Sequence, residues 1–177
     1  MDIDLYYVSS LKGKITKGIG TDRSWISTED QQFFSARRKR YQVIIMGSGT
    51  YETIKDLISL KDKPLRIVMT TRPENYQSDK IAFRLEFTAE SPNALIDRLR
   101  KSGIRNVLIA GGTRVTSAFL RLGLVGKIYL TIEPVLFGRG HDMMNTSLGD
   151  IKLQLKSYKK LNSGGTMLLE YSVIKKG

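Results

Sequence analysis

The segment Val43-Ile44-Ile45-Met46-Gly47-Ser48-Gly49-Thr50 carries most of the information about the fold. Its first four residues are apolar and mostly β-branched, which is typical of a strand that is buried on both faces. The glycines and hydroxyl residues that follow predict a tight turn into a helix, which we expect to run to about Ser59. A buried strand that turns at once into a helix is the repeating unit of parallel sheets, so this segment predicts an α/β protein.

Segments of the same kind lie on both sides of it. Ile3 to Ser10 is predicted to be a buried strand, and Ser27 or Thr28 then offers an N-cap for a helix that runs to about Arg40. Downstream, short apolar runs alternate with stretches of helical periodicity. These runs predict strands over 66–70, 84–88, 106–110 and 127–134, and helices over 91–103 and 114–122.

The C-terminal part has a different pattern. Two alternating segments, near 151–161 and 166–174, are separated by Asn162-Ser163-Gly164-Gly165, which is typical of a β-hairpin. We therefore expect a single domain over residues 1–177, with a mainly parallel central sheet, helices in the layers on either side and an antiparallel C-terminal hairpin.

Composition excludes several classes of site. The chain has no cysteine and one histidine, His141, so we expect no disulfide, no cysteine nucleophile and no metal centre built on thiolates or several histidines. No apolar stretch is long enough to span a bilayer, and the first residues do not resemble the basic start of a signal peptide. A cytoplasmic protein without membrane association is the expectation.

The formal net charge of +12 has three interpretations. Clustered Lys and Arg can bind nucleic acid, a positive field can attract a small polyanion such as a dinucleotide phosphate, and a basic surface can simply be solvated. The sequence contains no recognisable nucleic-acid motif. The second and third interpretations are therefore preferred, and no nucleic-acid partner is expected.

Three predicted strand ends could hold an anion. They are Met46–Thr50, Thr70-Thr71-Arg72 and Ala110–Arg114, each rich in glycine or hydroxyl groups. Ligands of open α/β sheets lie beyond the carboxyl ends of strands, and helix N-termini bind phosphate. Glycines at such turns also occur for conformational reasons alone. The chain has no Gly-x-Gly-x-x-Gly fingerprint and no Walker lysine, which disfavours a standard Rossmann enzyme or a P-loop ATPase.

The spacing of Trp25, Asp30 and Phe34, followed by the strand over 43–47 and by Thr50, resembles the first half of dihydrofolate reductase. In the second half, the run over 107–112 resembles the Gly-Gly turn of that family, and residues 128–131 resemble the strand that follows it. This resemblance implies a dihydrofolate reductase-like three-layer α/β fold.

The same segments also resemble the reductase domain of bifunctional riboflavin-biosynthesis deaminase-reductases. The motif Leu11-Lys12-Gly13-Lys14-Ile15 is closer to this second family, which usually has Asp where this chain has Lys12. The two resemblances share a fold but imply different substrates.

The resemblance implies NADPH as the cofactor and a role for each matching residue. Asp30 would bind the pterin ring and support its protonation, with Thr131 as its hydrogen-bond partner. The loop from Lys14 to Trp25 would be a mobile lid that excludes water. Substrate contacts would come from Ser10, Trp25, Phe34 and Lys63. Cofactor contacts would come from Lys14, Gly47, Ser48, Thr50, Thr70, Thr71, Arg72, Gly111, Gly112, Thr113, Arg114 and Val115.

The residues alone also allow plainer interpretations. A carboxylate at Asp30 compensates the dipole at a helix start, Phe34 is a core residue of that helix, and Thr131 on an alternating strand faces solvent. These interpretations stay open at the level of sequence.

Three functions follow, in order of preference. The first is NADPH-dependent reduction of 7,8-dihydrofolate to tetrahydrofolate by hydride transfer. The alternative is NADPH-dependent reduction of 5-amino-6-(5-phosphoribosylamino)uracil in riboflavin biosynthesis, with Lys14 holding the substrate phosphate. The remote alternative is a non-catalytic basic module that binds nucleic acid. A small-molecule substrate is expected in the first two, and the sequence leaves open a monomer or a homodimer.

Overall fold

The computed structural model describes residues 1–18, 22–61, 64–145 and 149–174. Its strands are β1 (Asp2–Ser10), β2 (Val43–Gly47), β3 (Leu65–Met69), β4 (Leu85–Thr88), β5 (Asn106–Ile109), β6 (Lys127–Glu133), β7 (Leu153–Lys160) and β8 (Met167–Val173). Its helices are α1 (Thr28–Arg38), α2 (Ser48–Ile54), α3 (Pro92–Lys101) and α4 (Thr113–Arg121).

All eight strands form one sheet in the order β4-β3-β2-β5-β1-β6-β8-β7. The first six of these are mutually parallel, whereas β8 runs antiparallel to β6 and β7 antiparallel to β8. The predicted mainly parallel sheet with an antiparallel C-terminal hairpin is confirmed. The last strand in sequence, β8, lies inside the sheet, and β7 forms its outer edge.

The helices cover both faces of the sheet. In β2, Val43 and Ile45 belong to the core beneath α3 and α4, while Ile44 and Met46 belong to the core beneath α1 and α2. Successive strand residues point to opposite faces, so a continuous apolar run buries both sides. This arrangement is the three-layer architecture that the sequence predicts.

The helix after β2 is shorter than predicted. It ends at Ile54 rather than near Ser59, and a single 3-10 turn, Lys55–Leu57, follows. Thr53 donates a hydrogen bond from Oγ1 to the Gly49 carbonyl at 2.9 Å, and the β-branched pair at 53 and 54 is a weak helix former. None of the helices in the described ranges is long and apolar enough to cross a membrane.

Candidate active site

Three of the predicted strand ends lie side by side, because β3, β2 and β5 are neighbours in the sheet. The Gly47 amide donates to the Gly111 carbonyl at 3.1 Å across the ends of β2 and β5. A Cβ atom at Gly112 would lie 3.0 Å from Oγ1 of Thr50, and one at Gly47 would lie 3.2 Å from Cγ2 of Val115. The predicted glycines therefore let two helix starts approach each other closely.

The helices that begin here lack side-chain caps. Gly47 is the N-cap of α2 and Gly112 that of α4, and no described side chain caps either helix. By contrast, Ser27 caps α1 and Ser91 caps α3 through their hydroxyl oxygens. The first N–H groups of a helix have no acceptor within it, and they favour an anion. The chemistry of this edge suits phosphate.

The end of β3 adds hydroxyl groups and a guanidinium to the same edge. Thr70 donates its backbone N–H to the Thr88 carbonyl at 2.9 Å, and its Oγ1 accepts from the Arg72 amide at 3.2 Å. Thr71 and Arg72 are exposed, as is Arg114 in the first turn of α4. Two exposed arginines therefore lie on this edge of the sheet, and their contact with a cofactor stays a prediction.

The turn after β1 is tightly closed. The Ser10 amide donates to the Lys14 carbonyl at 2.9 Å, and Ser10 Oγ accepts from the Lys14 amide at 3.2 Å. Lys14 Nζ pairs with Oδ1 of Asp142 at 2.8 Å, while the Asp142 carbonyl accepts from Thr113 Oγ1 at 2.6 Å. Lys14 is thus brought to the start of α4, whereas buried Ser10 serves the turn.

Part of the predicted lid is bound to a distant segment. Ile15 donates its amide to the His141 carbonyl at 2.9 Å, and the His141 amide donates to Thr16 Oγ1 at 2.8 Å. A Cβ atom at Gly140 would lie 1.8 Å from the Thr16 carbonyl oxygen, and Gly140 has φ +144°. The chain can approach this closely only because residue 140 is glycine. Residues 19–21 of the predicted lid lie outside the described residues.

Asp30 is almost completely buried, with 2% of its surface exposed. Its Oδ1 accepts a short hydrogen bond from the hydroxyl of Tyr6, and its amide is capped by Ser27 Oγ at 3.3 Å. The Tyr6 ring stacks on Phe34 with centroids 4.6 Å apart. Tyr6 therefore contacts one carboxylate oxygen of Asp30, and its ring lies against Phe34.

Burial raises the pKa of Asp30 above its ordinary value, and the negative charge of Glu133 adds to the rise. The hydroxyls of Thr131 and Tyr6 and the guanidinium of Arg23 oppose it. Thr131 is fully buried, so a solvent-facing role is wrong. Its Oγ1 faces the carboxylate, but it makes no hydrogen bond of normal geometry to any residue that the structure describes. The structure brings Thr131 and Asp30 together, and the hydrogen bond between them stays a prediction.

Sequence reasoning missed Glu133, a second buried carboxylate beside Asp30. Its Oε1 accepts from the amide and the hydroxyl of Ser27, both at 2.8 Å, and its Oε2 accepts from Thr166 Oγ1 at 2.6 Å. The period-two alternation of β6 places Glu133 on the same face as Thr131, which is a signal that could have revealed it. Its partners at residues 27 and 166 lie too far away in sequence for any local pattern to show.

Trp25 lies half-buried beside an open cavity of about 310 Å³. Its Nε1 donates to the Asp22 carbonyl at 3.1 Å, and its ring meets Phe137 edge-on at 5.2 Å. The cavity is also lined by Ser27, Glu133 and Thr166. The predicted substrate residue Lys63 lies outside the described residues.

Residues 3–167 match the family model of the RibD C-terminal domain. The chain is 28% identical over 173 residues to the uncharacterized protein YwjB of Bacillus subtilis, which covers 94% of this chain and 95% of that protein. It is also 28% identical over 148 residues to the riboflavin biosynthesis protein RibD of Mycobacterium tuberculosis. That match covers 75% of this chain but 42% of RibD, so the chain spans less than half of that relative.

Solved structures share the fold. A putative riboflavin biosynthesis protein from Shewanella sp. PV-4 superimposes with a TM-score of 0.80 at 16% identity, covering 99% of this chain and all of that one. A deaminase/5-amino-6-(5-phosphoribosylamino)uracil reductase from Thermotoga maritima gives 0.76 at 20% identity, covering 98% and 56%. Dihydrofolate reductase from Enterococcus faecalis, complexed with NADP(H), gives 0.70 at 16% identity, covering 98% and 97%.

Proposed function

This chain belongs to the RibD C-terminal domain family, and from that membership we propose that it is an NADPH-dependent reductase of 5-amino-6-(5-phosphoribosylamino)uracil or a closely related phosphorylated ribosylamino-pyrimidine. The observation that carries the proposal is the pair of helix starts, at Gly47 and Gly112, that no described side chain caps. The family match supports this second expectation over dihydrofolate reduction, for which the likeness extends to the fold alone.

The residues at the ends of β2, β5 and β3 fit NADPH. Backbone N–H groups at the starts of α2 and α4, with Ser48 and Thr50, would hold the pyrophosphate. Gly111 and Gly112 would allow the cofactor to approach the backbone, and Thr113, Arg114 and Val115 would line its path. Thr70, Thr71 and Arg72 would hold the adenosine 2′-phosphate. Bound there, NADPH supplies the hydride.

The substrate phosphate would be held by Lys14. Its ammonium group lies 2.8 Å from Oδ1 of Asp142, and Asp142 in turn accepts from Thr113 at the start of α4. This places a cation beside the proposed cofactor edge, where it can bind a second phosphate while Asp142 fixes its direction. The charge excess of the chain would draw both anions to the site.

Reduction of a ribosylamine takes place at the sugar carbon that carries the amino nitrogen, and it consumes one hydride and one proton. Trp25 lines the open cavity and would contact the ring of the substrate, while Glu133, whose oxygens accept from Ser27 and Thr166, would hold the wall of that cavity in place. Asp30 and Thr131, the predicted catalytic pair, would handle the proton together with the Tyr6 hydroxyl, which donates to Oδ1 of Asp30.

The direct test is NADPH oxidation, followed by absorbance, with the ribosylamino-pyrimidine and dihydrofolate assayed side by side. We expect turnover of the pyrimidine and none of dihydrofolate. Turnover of dihydrofolate alone, or no NADPH binding, would contradict the proposal. Quenching of Trp25, the only tryptophan, offers a binding readout. Strongly salt-dependent binding to duplex DNA without NADPH affinity would instead support the nucleic-acid module.

A further inference from the structure

The side chain of Tyr6 lies between Phe34, a predicted substrate residue, and Asp30, a predicted catalytic residue. It projects from β1 with 7% of its surface exposed, its ring stacks on Phe34, and its hydroxyl donates to Asp30. Phe33 contacts the same ring at 6.2 Å between centroids. The space between the aromatic face and the carboxylate is therefore filled from within the protein.

The two contacts that Tyr6 makes have a clear chemical meaning. A planar ring that carries N–H groups is held by stacking on an aromatic face and by donating to a carboxylate. Tyr6 supplies a planar ring to Phe34 and an O–H donor to Asp30. The phenol thus satisfies internally the groups that a flat nitrogen heterocycle would otherwise use.

Two further observations concern the surroundings of the space that Tyr6 fills. Thr131 presents a fully buried hydroxyl toward Asp30 and Tyr6, and its oxygen makes no hydrogen bond of normal geometry to the described residues. The cavities of about 370 and 310 Å³ are lined by none of Tyr6, Phe34 and Asp30, so neither of them reaches this place. A buried hydroxyl without a well-formed hydrogen bond, beside an aromatic face and a carboxylate that Tyr6 occupies, is consistent with a polar subsite that is filled from within the protein.

We propose that Tyr6 is a specificity-determining residue: its ring is the built-in occupant of the Phe34–Asp30 subsite and keeps planar, N–H-bearing heterocycles such as pterins out of it. The proposal rests on the proposed function, because it states which ring systems the proposed reductase excludes from its site. The pyrimidine of the accepted substrate is then bound elsewhere along the carboxyl edge of the sheet.

Removal of the ring tests this directly. In Tyr6→Ala and Tyr6→Val we expect dihydrofolate, measured by calorimetric titration, to bind at least about tenfold more tightly than to the unsubstituted protein, equivalent to about 1.4 kcal/mol. Tyr6→Phe keeps the ring, so its affinity for dihydrofolate should stay that of the unsubstituted protein. Adding Asp30→Asn to Tyr6→Ala should reverse most of the gain, because the carboxylate that accepts the ring N–H groups is lost.

Folding of each variant is checked by cooperative thermal unfolding, and p-cresol should raise the melting temperature of Tyr6→Ala by refilling the space. If Tyr6→Ala does not fold, Tyr6→Val, which retains a β-branched strand residue, decides the outcome. Equal dihydrofolate affinity in the unsubstituted and folded substituted proteins, whether high or absent, would overturn the proposal. These arms measure binding without cofactor, so a failure to oxidise NADPH would count against the proposed function and leave this inference standing.

Discussion

The carboxyl edge of the sheet consists of two halves that differ in whether their polar groups have partners within the protein. In the open half, at β3, β2 and β5, glycines start α2 and α4 without a described side-chain cap, and Arg72 is exposed. In the closed half, at β1 and β6, Ser27 caps α1, and the carboxylates of Asp30 and Glu133 are buried with internal donors. Groups that lack an internal partner need an external one, so the open half is where we propose that the cofactor binds, whereas the buried carboxylates of the closed half have internal partners.

The largest effect is expected from a substitution that covers a helix start in the open half. In Gly112→Val, the added side chain would meet Thr50 Oγ1, 3.0 Å from the Cβ position, and would cover the start of α4. We expect NADPH affinity to fall about 100-fold, or about 2.7 kcal/mol, by fluorescence titration. Gly138→Val is the matched control, since a Cβ there has no described neighbour within 4 Å. Equal losses in both variants would show that the helix start is not the site.

A second change tests what joins the halves. Gly140 lies against Thr16, where the loop after β1 pairs with the segment that reaches Thr113 of α4. Gly140→Ala places a Cβ 1.8 Å from a carbonyl oxygen at φ +144°, so we expect the free energy of unfolding in urea to fall by about 2 kcal/mol. Gly138→Ala should change it little. An unchanged midpoint for Gly140→Ala would mean that the pairing does not form.

A third change tests where the adenosine 2′-phosphate binds in the open half. Arg72 is exposed beside Thr70 and Thr71, where the 2′-phosphate is proposed to lie. In Arg72→Ala we expect about tenfold weaker NADPH binding and little change for NADH, because only NADPH carries that phosphate. Lys101→Ala, at the exposed end of α3, controls for the loss of one positive charge. Equal weakening of both cofactors would place the 2′-phosphate elsewhere.

The smallest effect concerns the closed half and appears as a dependence on pH. Burial raises the folded-state pKa of Asp30 above its ordinary value of 3.8, so the native state holds this proton more tightly than the unfolded chain does. The stability contributed by this group is therefore present at low pH and is lost as the pH rises from 3.8 through the raised pKa. Asp30→Asn cannot ionise and should escape this loss.

Denaturation in urea across this pH range provides the measurement. The free energy of unfolding of Asp30→Asn should rise relative to that of the unsubstituted protein between the acidic and the neutral end. A difference between the two proteins that stays constant with pH would show that Asp30 ionises as freely in the folded state as in the unfolded chain.

The two halves also differ in how well the sequence predicts them. The apolar run of β2 and the glycines after it were readable, because burial on both faces and a sharp turn are local demands on composition. The predicted end of α2 is wrong, because the Thr53 hydroxyl donates to the Gly49 carbonyl. Hydrophobic periodicity does not show this competition for a backbone acceptor. The open half was therefore predictable in kind and inexact in extent.

The closed half could not be predicted from local pattern. Tyr6 was recognised as part of a buried strand, but its stacking on Phe34 depends on how α1 lies across the sheet. Glu133 was missed because the residues that hold its carboxylate, Ser27 and Thr166, come from opposite ends of the chain. The roles proposed for Asp30 and Thr131 remain predictions for the same reason, since they depend on which ring lies beside them.

The position of β8 inside the sheet has a consequence for synthesis of the protein. β8 follows β6 and β7 along the chain, yet it pairs with β6 and so separates β6 from β7. Until it emerges, the edge of β6 is unpaired and Thr166 is absent from the Glu133 carboxylate. The nascent chain can complete the open half first, whereas the closed half must wait for β8, and during that interval the unpaired edge of β6 is exposed to aggregation.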